Sequence, residues 1–306
     1  MAVLYFQNKF VPEEEAVVSV KTHALQYGTG CFEGIRAYYN ESDNALYVFR
    51  LEDHFKRMAD SCKILFITLP QTSTKLSEIT RELVKQNFTK EDIYIRPVAY
   101  KANTVVGNFN LQKLDDGFAI YTLPLGRYLK ESGGVKANIS SWRRVSGNAI
   151  PPRAKITGSY INTALAKTES VMNGYDEALF LDNENHIIEG SAENLFAVKG
   201  DTVVTPEMSE DILLGITRDT VMTLIKQELG LTVIERSIDR SEIYSFDEVF
   251  LTGTGAEIAP VVSVDGRTIG TGEVGPIAQK VMKLYYDIVH GKNEKYKHWI
   301  TKIVQN

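Results

Sequence analysis

The stretch PPRAKITGSY, residues 151–160, places a lysine, Lys155, between a double proline and the start of a helical pattern. Proline fixes its own φ angle and pushes the residue before it toward extended conformations, so the two prolines stiffen the chain just ahead of Lys155. Apolar side chains follow at Ile161, Leu165 and Met172, close to helical spacing, and predict a helix with an apolar face. Lys155 is therefore expected at an ordered entry into a helix.

The bulk composition is that of an ordinary globular protein. The chain has 306 residues, of which 43% are hydrophobic and 24% are charged. Its formal net charge of -5 argues against a nucleic-acid or anionic-membrane partner, and no apolar run approaches membrane-spanning length. The two cysteines, Cys31 and Cys62, have neither metal-ligand nor disulfide-framework spacing. We therefore expect a cytoplasmic protein.

The pattern of apolar residues predicts a mixed α+β protein with two domains. The first part is predicted to hold strands at 3–6, 16–20 and 45–50 and helices at 51–67 and 73–88. The second part is predicted to hold a β-meander, with strands at 177–181, 186–189, 194–198 and 202–205. The glycine-rich, charged stretch 126–134 separates them, so the expected units are a small domain at 1–125 and a larger one at 135–306.

Residues able to bind anions occur at several places. The strand DIYIRPVAYKA puts Tyr94 and Arg96 on one face, which suits the binding of a carboxylate. A helix is predicted to begin with Thr217 as its N-cap, and its free backbone N–H groups favour an anion. The glycine-rich turn TGTG, 252–255, offers further exposed amides.

Three other chemistries fit less well. The literal G-x-G-x-x-G at Gly270, Gly272 and Gly275 lacks the following strand and acidic residue that a nicotinamide site needs. The histidines show no metal-ligand spacing, so no metal site is expected. No G-x-S-x-G nucleophile elbow is present for a hydrolase.

A single cofactor would use the remaining signals together. Pyridoxal 5′-phosphate needs a lysine that binds it covalently, an acidic group beside its pyridine nitrogen, and an arginine and helix-start amides for its phosphate. Lys155 offers the first of these, and Glu189 and Glu193, which flank a Gly-Ser-Ala turn at a strand end, offer the second. Arg57 and the two anion-binding turns offer the third.

The chain resembles the branched-chain amino acid aminotransferases, a family of fold-type IV pyridoxal-phosphate enzymes, from about residue 5 to about 290. The resemblance is carried by the segments HALQYGTGCFEGIRAY, YIRP, SSWRR, PPRAKITGSY, EGSAENLF, LLGITRD and FLTGTGAEIAPV, which occur in the family's order and approximate spacing. It implies a small α+β domain, a larger pseudo-barrel domain that binds pyridoxal 5′-phosphate, and a homodimer or higher homo-oligomer whose active sites borrow loop residues from a partner copy.

The resemblance also implies roles for individual residues. Lys155 matches the catalytic lysine, Glu189 the partner of the pyridine nitrogen and Tyr160 the tyrosine near the cofactor's O3′ atom. The phosphate-binding positions match Arg57, Ile216, Thr217 and Thr254. The substrate positions match Thr254 and Gly255 as backbone donors to the α-carboxylate, Tyr27, Tyr94 and Arg96 around it, and Phe32 and Tyr128 along the side-chain pocket.

The function implied is transamination of branched-chain L-amino acids with 2-oxoglutarate by a ping-pong mechanism. The ligands are then amino acids and 2-oxo acids. Leu125 stands where the bacterial enzymes are expected to have tryptophan, and loop 101–117 matches poorly, so the substrate range is less defined than the reaction. The alternatives on the same fold are a D-amino-acid or (R)-amine transaminase and aminodeoxychorismate lyase. Rivals of other classes are a nicotinamide oxidoreductase and a non-catalytic binding module.

Overall fold

The structure is a computed structural model that describes residues 2–126 and 133–305. Tyr128 and most of the predicted interdomain stretch lie outside the described residues.

The first elements are β1 (Val3–Phe6), β2 (Lys9–Pro12), α1 (His23–Tyr27), β3 (Gly30–Phe32), β4 (Ile35–Asn40), β5 (Ala45–Phe49), α2 (Leu51–Ile64), α3 (Ser73–Gln86), β6 (Ile93–Lys101) and β7 (Asp116–Pro124). The others are β8 (Val135–Ile139), α4 (Tyr160–Met172), β9 (Glu177–Leu181), β10 (Ile187–Gly190), β11 (Asn194–Lys199), β12 (Thr202–Thr205), α5 (Ile216–Gln227), β13 (Thr232–Glu235), β14 (Glu248–Gly253), β15 (Glu257–Val264), β16 (Arg267–Thr268), α6 (Pro276–Val289) and β17 (Ile300–Val304). Among these helices, none combines the length and the apolar character needed to cross a bilayer.

The described chain forms two compact units. Unit 1 comprises Met1–Gly126, Ala154–Gly158 and Asp287–Asn306, and unit 2 comprises Arg127–Arg153 and Ser159–Tyr286. The sequence assigned 135–306 to one domain, and the structure groups two pieces of it with unit 1. The reasons are backbone pairings: β17 pairs antiparallel with β5, and an isolated bridge joins Cys31 to Ile156.

Unit 1 is built on an eight-stranded sheet in the order β17-β5-β4-β6-β7-β1-β2, with β3 added beside β6. Along β6 the predicted alternation is confirmed, because Ile93 and Ile95 are buried while Tyr94 and Arg96 are half-buried. Helices α2 and α3 bury one apolar face each, in keeping with their amphipathic pattern.

Two sequence predictions in unit 1 are wrong in detail. No strand forms at 16–20, where Val17, Val18 and Val20 are exposed, because β-branched residues make a strand only where a neighbouring strand pairs with them. Helix α2 ends at Ile64 rather than at residue 67, since Phe66 adopts a left-handed φ of 53°.

Unit 2 is built on a nine-stranded sheet that includes a closed barrel. The sheet order is β10-β9-β8-β15-β14-β11-β12-β13, and a further pairing of β10 with β11 closes the ring, while β16 adds to β15. The predicted meander is confirmed in β9, β10, β11 and β12, within one residue at each end. The barrel side chains form an apolar core that includes Leu179, Leu195, Val249, Leu251 and Val261.

The predicted apolar face of α4 is wrong. Ile161, Leu165 and Met172 are 64%, 38% and 81% exposed, and the helix instead buries Asn162, Ala166 and Ser170. The buried face is small and polar because it lies against β9, where it meets the short side chain of Ala178 and must also hydrogen-bond to a loop.

Candidate active site

Lys155 is held by its backbone on both sides within unit 1. The Lys155 N–H donates to Ser61 Oγ of α2 over 3.1 Å, and the Lys155 carbonyl accepts from the N–H of Phe32 over 3.1 Å. The Lys155 Nζ lies 5.1 Å from the centroid of the Phe32 ring, within cation–π range. The expectation of a lysine in an ordered segment is therefore confirmed.

A close approach of two glycines fixes the same segment. Gly28 ends α1 with a left-handed φ of 66°, and its carbonyl accepts from the N–H of Gly158 over 3.1 Å. A Cβ atom at Gly28 would lie 2.6 Å from Gly158 Cα, so any side chain there would push the Lys155 segment away. Tyr27, one residue earlier, packs edge-on against Phe109 with ring centroids 5.0 Å apart.

Tyr94 and Arg96 form a polar pair on the half-buried face of β6. The Arg96 Nη2 donates to the Tyr94 hydroxyl over 2.8 Å, and the Arg96 guanidinium carbon lies 4.4 Å from the Phe32 ring centroid. Gly34 makes room for the phenol, because a Cβ there would lie 2.0 Å from the Tyr94 oxygen. The Arg96 Nε is buried and makes no hydrogen bond within the described residues. Such a nitrogen is suited to a carboxylate ligand.

Arg57 lies on α2 and binds a fully buried carboxylate, Glu33. Its Nε and Nη2 donate to the two Glu33 oxygens over 2.8 and 2.7 Å, and His54 Nδ1 lies 2.7 Å from Oε2. Burial alone would raise the pKa of Glu33, but the Arg57 charge and the hydrogen bonds from His54 and Arg57 outweigh it and hold that pKa well below its usual range. Burial lowers the pKa of His54, so its ring is neutral and its Nδ1–H is the donor.

In unit 2, strand register places Glu189 close to the end of the strand that leads to Thr254 and Gly255. Glu189 of β10 lies opposite Asn194 of β11, which lies opposite Thr252 of β14. Thr254 and Gly255 follow in the turn after β14, and a Cβ added to Gly255 would meet no atom within 4 Å. This turn therefore leaves its backbone open to approach by a ligand.

Glu189 is paired with an arginine that has no role in the sequence prediction. Arg144 Nε lies 2.9 Å from Glu189 Oε1, and the N–H of Leu213 donates to Oε2 over 3.4 Å. The buried Asn162 of α4 holds the backbone on both sides of Arg144. The Asn162 Nδ2 donates to the Arg143 carbonyl over 2.9 Å, and the Asn162 Oδ1 accepts from the Val145 N–H over 3.2 Å.

The start of α4 reaches the same region. Tyr160 is its first residue, and Thr163 Oγ1 donates to the carbonyl of Ser191, two residues after Glu189, over 2.7 Å. Tyr160 and Glu189 are therefore carried by elements that are bonded to one another.

The start of α5 is a suitable anion site. The helix begins at Ile216, and its N-cap residue is Gly215, which has no side chain of its own with which to cap the helix. The prediction of Thr217 as N-cap is wrong by two residues, because Thr217 lies inside the first turn, where it is 3% exposed. Asn194 Nδ2 donates to the carbonyl of Leu213 over 2.8 Å and so ties this start to β11.

Glu193, the second carboxylate of the same motif, differs from Glu189 in its surroundings. Burial, followed by the charge of the nearby Glu177, raises the pKa of Glu193 to about 8. Glu193 is therefore largely protonated at neutral pH, whereas Glu189 has an arginine partner. An ion-paired carboxylate is the better partner for a protonated nitrogen, which favours Glu189 for that role.

The G-x-G-x-x-G stretch precedes α6, and the start of that helix is already occupied by a side chain. Both oxygens of Glu248 accept backbone N–H groups there, from Ile277 over 3.0 Å and from Ala278 over 2.8 Å. A carboxylate at this position would repel a pyrophosphate, which argues against a nicotinamide site.

His186 lies beside two acidic side chains. Ligand atoms of Asp182, His186 and Glu210 lie within 4.8 Å of one another, all half-buried. The Asp182 Oδ1 already accepts the backbone N–H groups of Glu184 and His186, over 2.8 Å each, as part of a turn. The turn explains the position of Asp182, and the cluster carries no functional assignment.

Two residues of the site were missed by the sequence analysis: Arg144 and Glu33. Arg144 stands in the quoted segment SSWRR, where the paired arginines are the only signal, and Glu33 stands in CFEGIRAY beside the glycines. Neither pattern by itself tells a buried ionic partner from a surface charge.

Comparison with known proteins agrees with this geometry. The family model for amino-transferase class IV matches residues 30–264. A probable branched-chain-amino-acid aminotransferase of Aquifex aeolicus is 46% identical, covering 99% of this chain and 97% of that protein. The crystal structure of the branched-chain aminotransferase of Thermoproteus uzoniensis with norvaline has a TM-score of 0.93 and 44% identity, covering 98% of this chain and 99% of that one.

A further solved structure carries a ligand that combines cofactor and substrate. The T.th. branched-chain amino acid aminotransferase, complexed with N-(5′-phosphopyridoxyl)-L-glutamate, has a TM-score of 0.92 and 39% identity, with 98% of each chain covered. The family model spans most of the chain, and each of these relatives matches at least 98% of the chain. The chain therefore belongs to the class IV aminotransferases, among the branched-chain amino acid aminotransferases.

Proposed function

We propose that this chain transfers the amino group of branched-chain L-amino acids to 2-oxoglutarate in a ping-pong reaction, with Lys155 as the catalytic base. The observation that carries the proposal is the fixing of Lys155, whose backbone is bound by Phe32 and Ser61 and whose ammonium group lies over the Phe32 ring. A base that must take a proton from carbon and later return one has to be held within reach of that carbon.

The donor set fits pyridoxal 5′-phosphate, the cofactor of this branched-chain aminotransferase. When bound, the cofactor supplies an electron-accepting ring and the carbonyl carbon that carries the amino group. Arg57 and the first amides of α5, at Ile216 and Thr217, would hold its phosphate together with Thr254, because a guanidinium and the positive end of a helix dipole both favour an anion.

The remaining cofactor contacts fall to two side chains. Glu189 would hold a proton on the pyridine nitrogen, and its ion pair with Arg144 supports a charged carboxylate there. Tyr160 would donate its hydroxyl hydrogen to O3′ of the ring. Lys155 would take the proton from Cα of the amino acid in the first half-reaction and return a proton to Cα of the new amino acid in the second.

Substrate recognition is assigned to the backbone amides of the Thr254–Gly255 turn for the α-carboxylate and to Tyr27, Tyr94 and Arg96 around it. The buried Arg96 Nε supports a second role, pairing with the distal carboxylate of glutamate or 2-oxoglutarate. The phosphopyridoxyl-glutamate and norvaline bound by two relatives are an acidic and an aliphatic amino acid derivative. Phe32 and Tyr128 would line the aliphatic side.

We further infer a homodimer or higher homo-oligomer. The inference is supported by exposed apolar side chains on two stretches of unit 1 that are tied together by the hydrogen bond from the His23 N–H to the Asn103 carbonyl. These side chains are Val17, Val18, Val20, Leu25, Val105, Val106 and Phe109. Light scattering at micromolar concentration should give at least twice the chain mass, and a monomer would overturn the inference.

A reducing compartment such as the cytoplasm is inferred from the cysteines. Cys31 and Cys62 are both buried as free thiols, which oxidising compartments disfavour. Expression with a fluorescent tag, followed by fractionation, would locate the protein.

The main test replaces Lys155 with alanine. The variant is expected to lose the visible absorption of the bound cofactor and to fall in rate by several powers of ten, whereas alanine at the exposed Lys63 of α2 should change neither. A fully active Lys155→Ala variant with the wild-type spectrum would end the proposal.

Substrate class is tested by comparing the rates with L-leucine, D-alanine and an (R)-arylamine, each with 2-oxoglutarate. A preference for L-leucine supports the proposal. Faster turnover of either of the other donors would replace it with one of the related activities on the same fold.

A further inference from the structure

We propose that Glu33 is a positioning residue for cofactor binding: it aims the Arg57 guanidinium at the cofactor phosphate and fixes its distance from Lys155. The inference rests on the proposed function, in which Arg57 holds the phosphate. It adds a positioning role for Glu33, although the charge of this carboxylate has the same sign as that of the phosphate.

Glu33 has no solvent exposure and follows directly after β3. Its backbone N–H donates to the Pro97 carbonyl over 3.0 Å, so the residue is fixed to the edge of β6. Its carboxylate accepts from both Nε and Nη2 of Arg57, which is a bidentate contact. A bidentate contact through one edge of a guanidinium fixes the plane of the group and the direction of its other edge.

His54 completes the environment of the carboxylate. It lies one helical turn before Arg57 on α2, and its neutral ring donates from Nδ1 to Glu33 Oε2. The Glu33 oxygens thus receive three short hydrogen bonds, and only one of the donor side chains is charged. The buried Glu33 charge is balanced by Arg57, while His54 restrains the carboxylate without adding a second positive charge.

The same helix and strand also hold Lys155. Ser61, one turn after Arg57 on α2, accepts the Lys155 N–H, and Phe32, the residue before Glu33, donates its N–H to the Lys155 carbonyl. A rigid cofactor has a fixed distance between its phosphate and its reactive carbon. The two groups that bind these ends therefore need a fixed separation, and Glu33 supplies the contact that holds Arg57 to the strand end carrying Phe32.

The test compares two ligands that differ only in the phosphate. Pyridoxal 5′-phosphate and pyridoxal are titrated into cofactor-free enzyme, and dissociation constants are read from absorbance and tryptophan fluorescence. For Glu33→Gln, which keeps the side-chain shape, we expect affinity for pyridoxal 5′-phosphate to fall about tenfold, the equivalent of one charge-assisted hydrogen bond, with pyridoxal affinity unchanged. Equal losses for both ligands, or no loss for either, would overturn the proposal.

Two further variants distinguish a failure of the proposed phosphate role of Arg57 from a failure of the positioning role of Glu33. Arg57→Lys should weaken binding of pyridoxal 5′-phosphate as well, and combining it with Glu33→Gln should add little, because both act through one contact. If Arg57→Lys has no effect, the proposed phosphate role of Arg57 fails. If Arg57→Lys weakens binding but Glu33→Gln does not, only the positioning role of Glu33 fails.

A matched control removes a different carboxylate–arginine pair of unit 1. Asp92→Asn breaks the contact of Asp92 with the buried Arg36, which spans 3.3 Å, and should lower stability without changing either dissociation constant. If Glu33→Gln does not fold, Glu33→Asp is the second variant to test. It keeps the carboxylate charge but shortens the side chain by one methylene group. It should show the same phosphate-selective loss, and an unchanged ratio of the two dissociation constants would reject the proposal.

Discussion

Arg144 Nε lies 2.9 Å from Glu189 Oε1, and the two side chains are 11% and 5% exposed. The arginine is itself ordered, because its guanidinium lies 5.6 Å from the centroid of the Phe180 ring and its neighbours in the chain bond to Asn162. Arg144 therefore provides Glu189 with a positive counter-charge. Glu189 is thereby suited to face a protonated pyridine nitrogen.

Replacing Arg144 with methionine should lower both activity and stability. Loss of the cation removes the counter-charge of the buried Glu189, which costs about 3 kcal/mol of unfolding free energy. The turnover number with L-leucine should fall about tenfold, because a buried carboxylate without that counter-charge takes up a proton more readily, and a neutral carboxyl group is a weaker partner for a cationic nitrogen. Denaturant unfolding and steady-state kinetics at about pH 7.5 measure the two effects.

The neighbouring arginine provides the control for this experiment. Arg143 bonds to the Asp182 carbonyl and to Asn185 Oδ1 and lies on the exposed side of the same stretch. Arg143→Met should leave the turnover number within about twofold of wild type, as is usual for surface changes. Equal losses in the two variants would contradict a specific role for Arg144, and Arg144→Lys should restore part of the activity.

Glu193 should make stability depend on pH. Its pKa is about 8 in the folded protein, against the ordinary value of 4.5 in the unfolded chain. Between these two values the folded state holds a proton that the unfolded chain has released, so the unfolding free energy falls as pH rises, by up to about 1.4 kcal/mol per pH unit. The stabilisation is complete below pH 4.5 and lost above pH 8.

The glutamine side chain in Glu193→Gln is neutral at every pH, so this variant should lack the fall of unfolding free energy with rising pH. Unfolding free energies of both proteins at about pH 5, 6.5 and 8 would show the variant gaining on the wild type as pH rises. Glu184→Gln, at an exposed position, should follow the wild type. Parallel curves for wild type and Glu193→Gln would show that Glu193 is ionised in the folded protein.

Arg96 should distinguish acidic from aliphatic substrates. Arg96→Leu removes a charged donor from the face of β6, so the KM for 2-oxoglutarate should rise more than about tenfold, the equivalent of a hydrogen bond to a charged group. The KM for L-leucine should change less. Tyr94→Phe removes the phenol that accepts from Arg96 Nη2 and should give a weaker effect of the same kind. An equal rise in KM for both substrates would contradict the pairing of Arg96 with the distal carboxylate of 2-oxoglutarate.

The elements that the sequence predicted correctly have local causes. Period-two alternation is a property of the strand itself, so β6 with Tyr94 and Arg96 on one face was predictable before any partner was known. The strands at 177–181 and 202–205 likewise form where their own runs of apolar and β-branched residues predict them.

Features that depend on partners distant in sequence were not predictable. β17 pairs with β5 although the whole of β6 to β16 lies between them in the chain, and nothing in either segment specifies that pairing. The same applies to the site: Lys155 and Glu189 were recognised from motifs, but Arg144 and Glu33 show their roles only through distances to other side chains. A charged residue in a sequence carries no sign of being buried with a partner.

Helix α4 gives a last prediction, because its sequence pattern and its burial disagree. Ala166 has no exposure and lies in a small core with Ala178, Phe180, Ile188 and Ile212. Ala166→Leu should therefore overpack that core and lower the unfolding free energy by about 1–3 kcal/mol. Ile161 belongs to the apolar face that was predicted to be buried, but it is 64% exposed. Ile161→Ser should therefore change the unfolding free energy by no more than about 0.5 kcal/mol. Denaturant unfolding of the two variants decides which face packs inward, and a larger loss for Ile161→Ser would mean that the apolar face is the buried one.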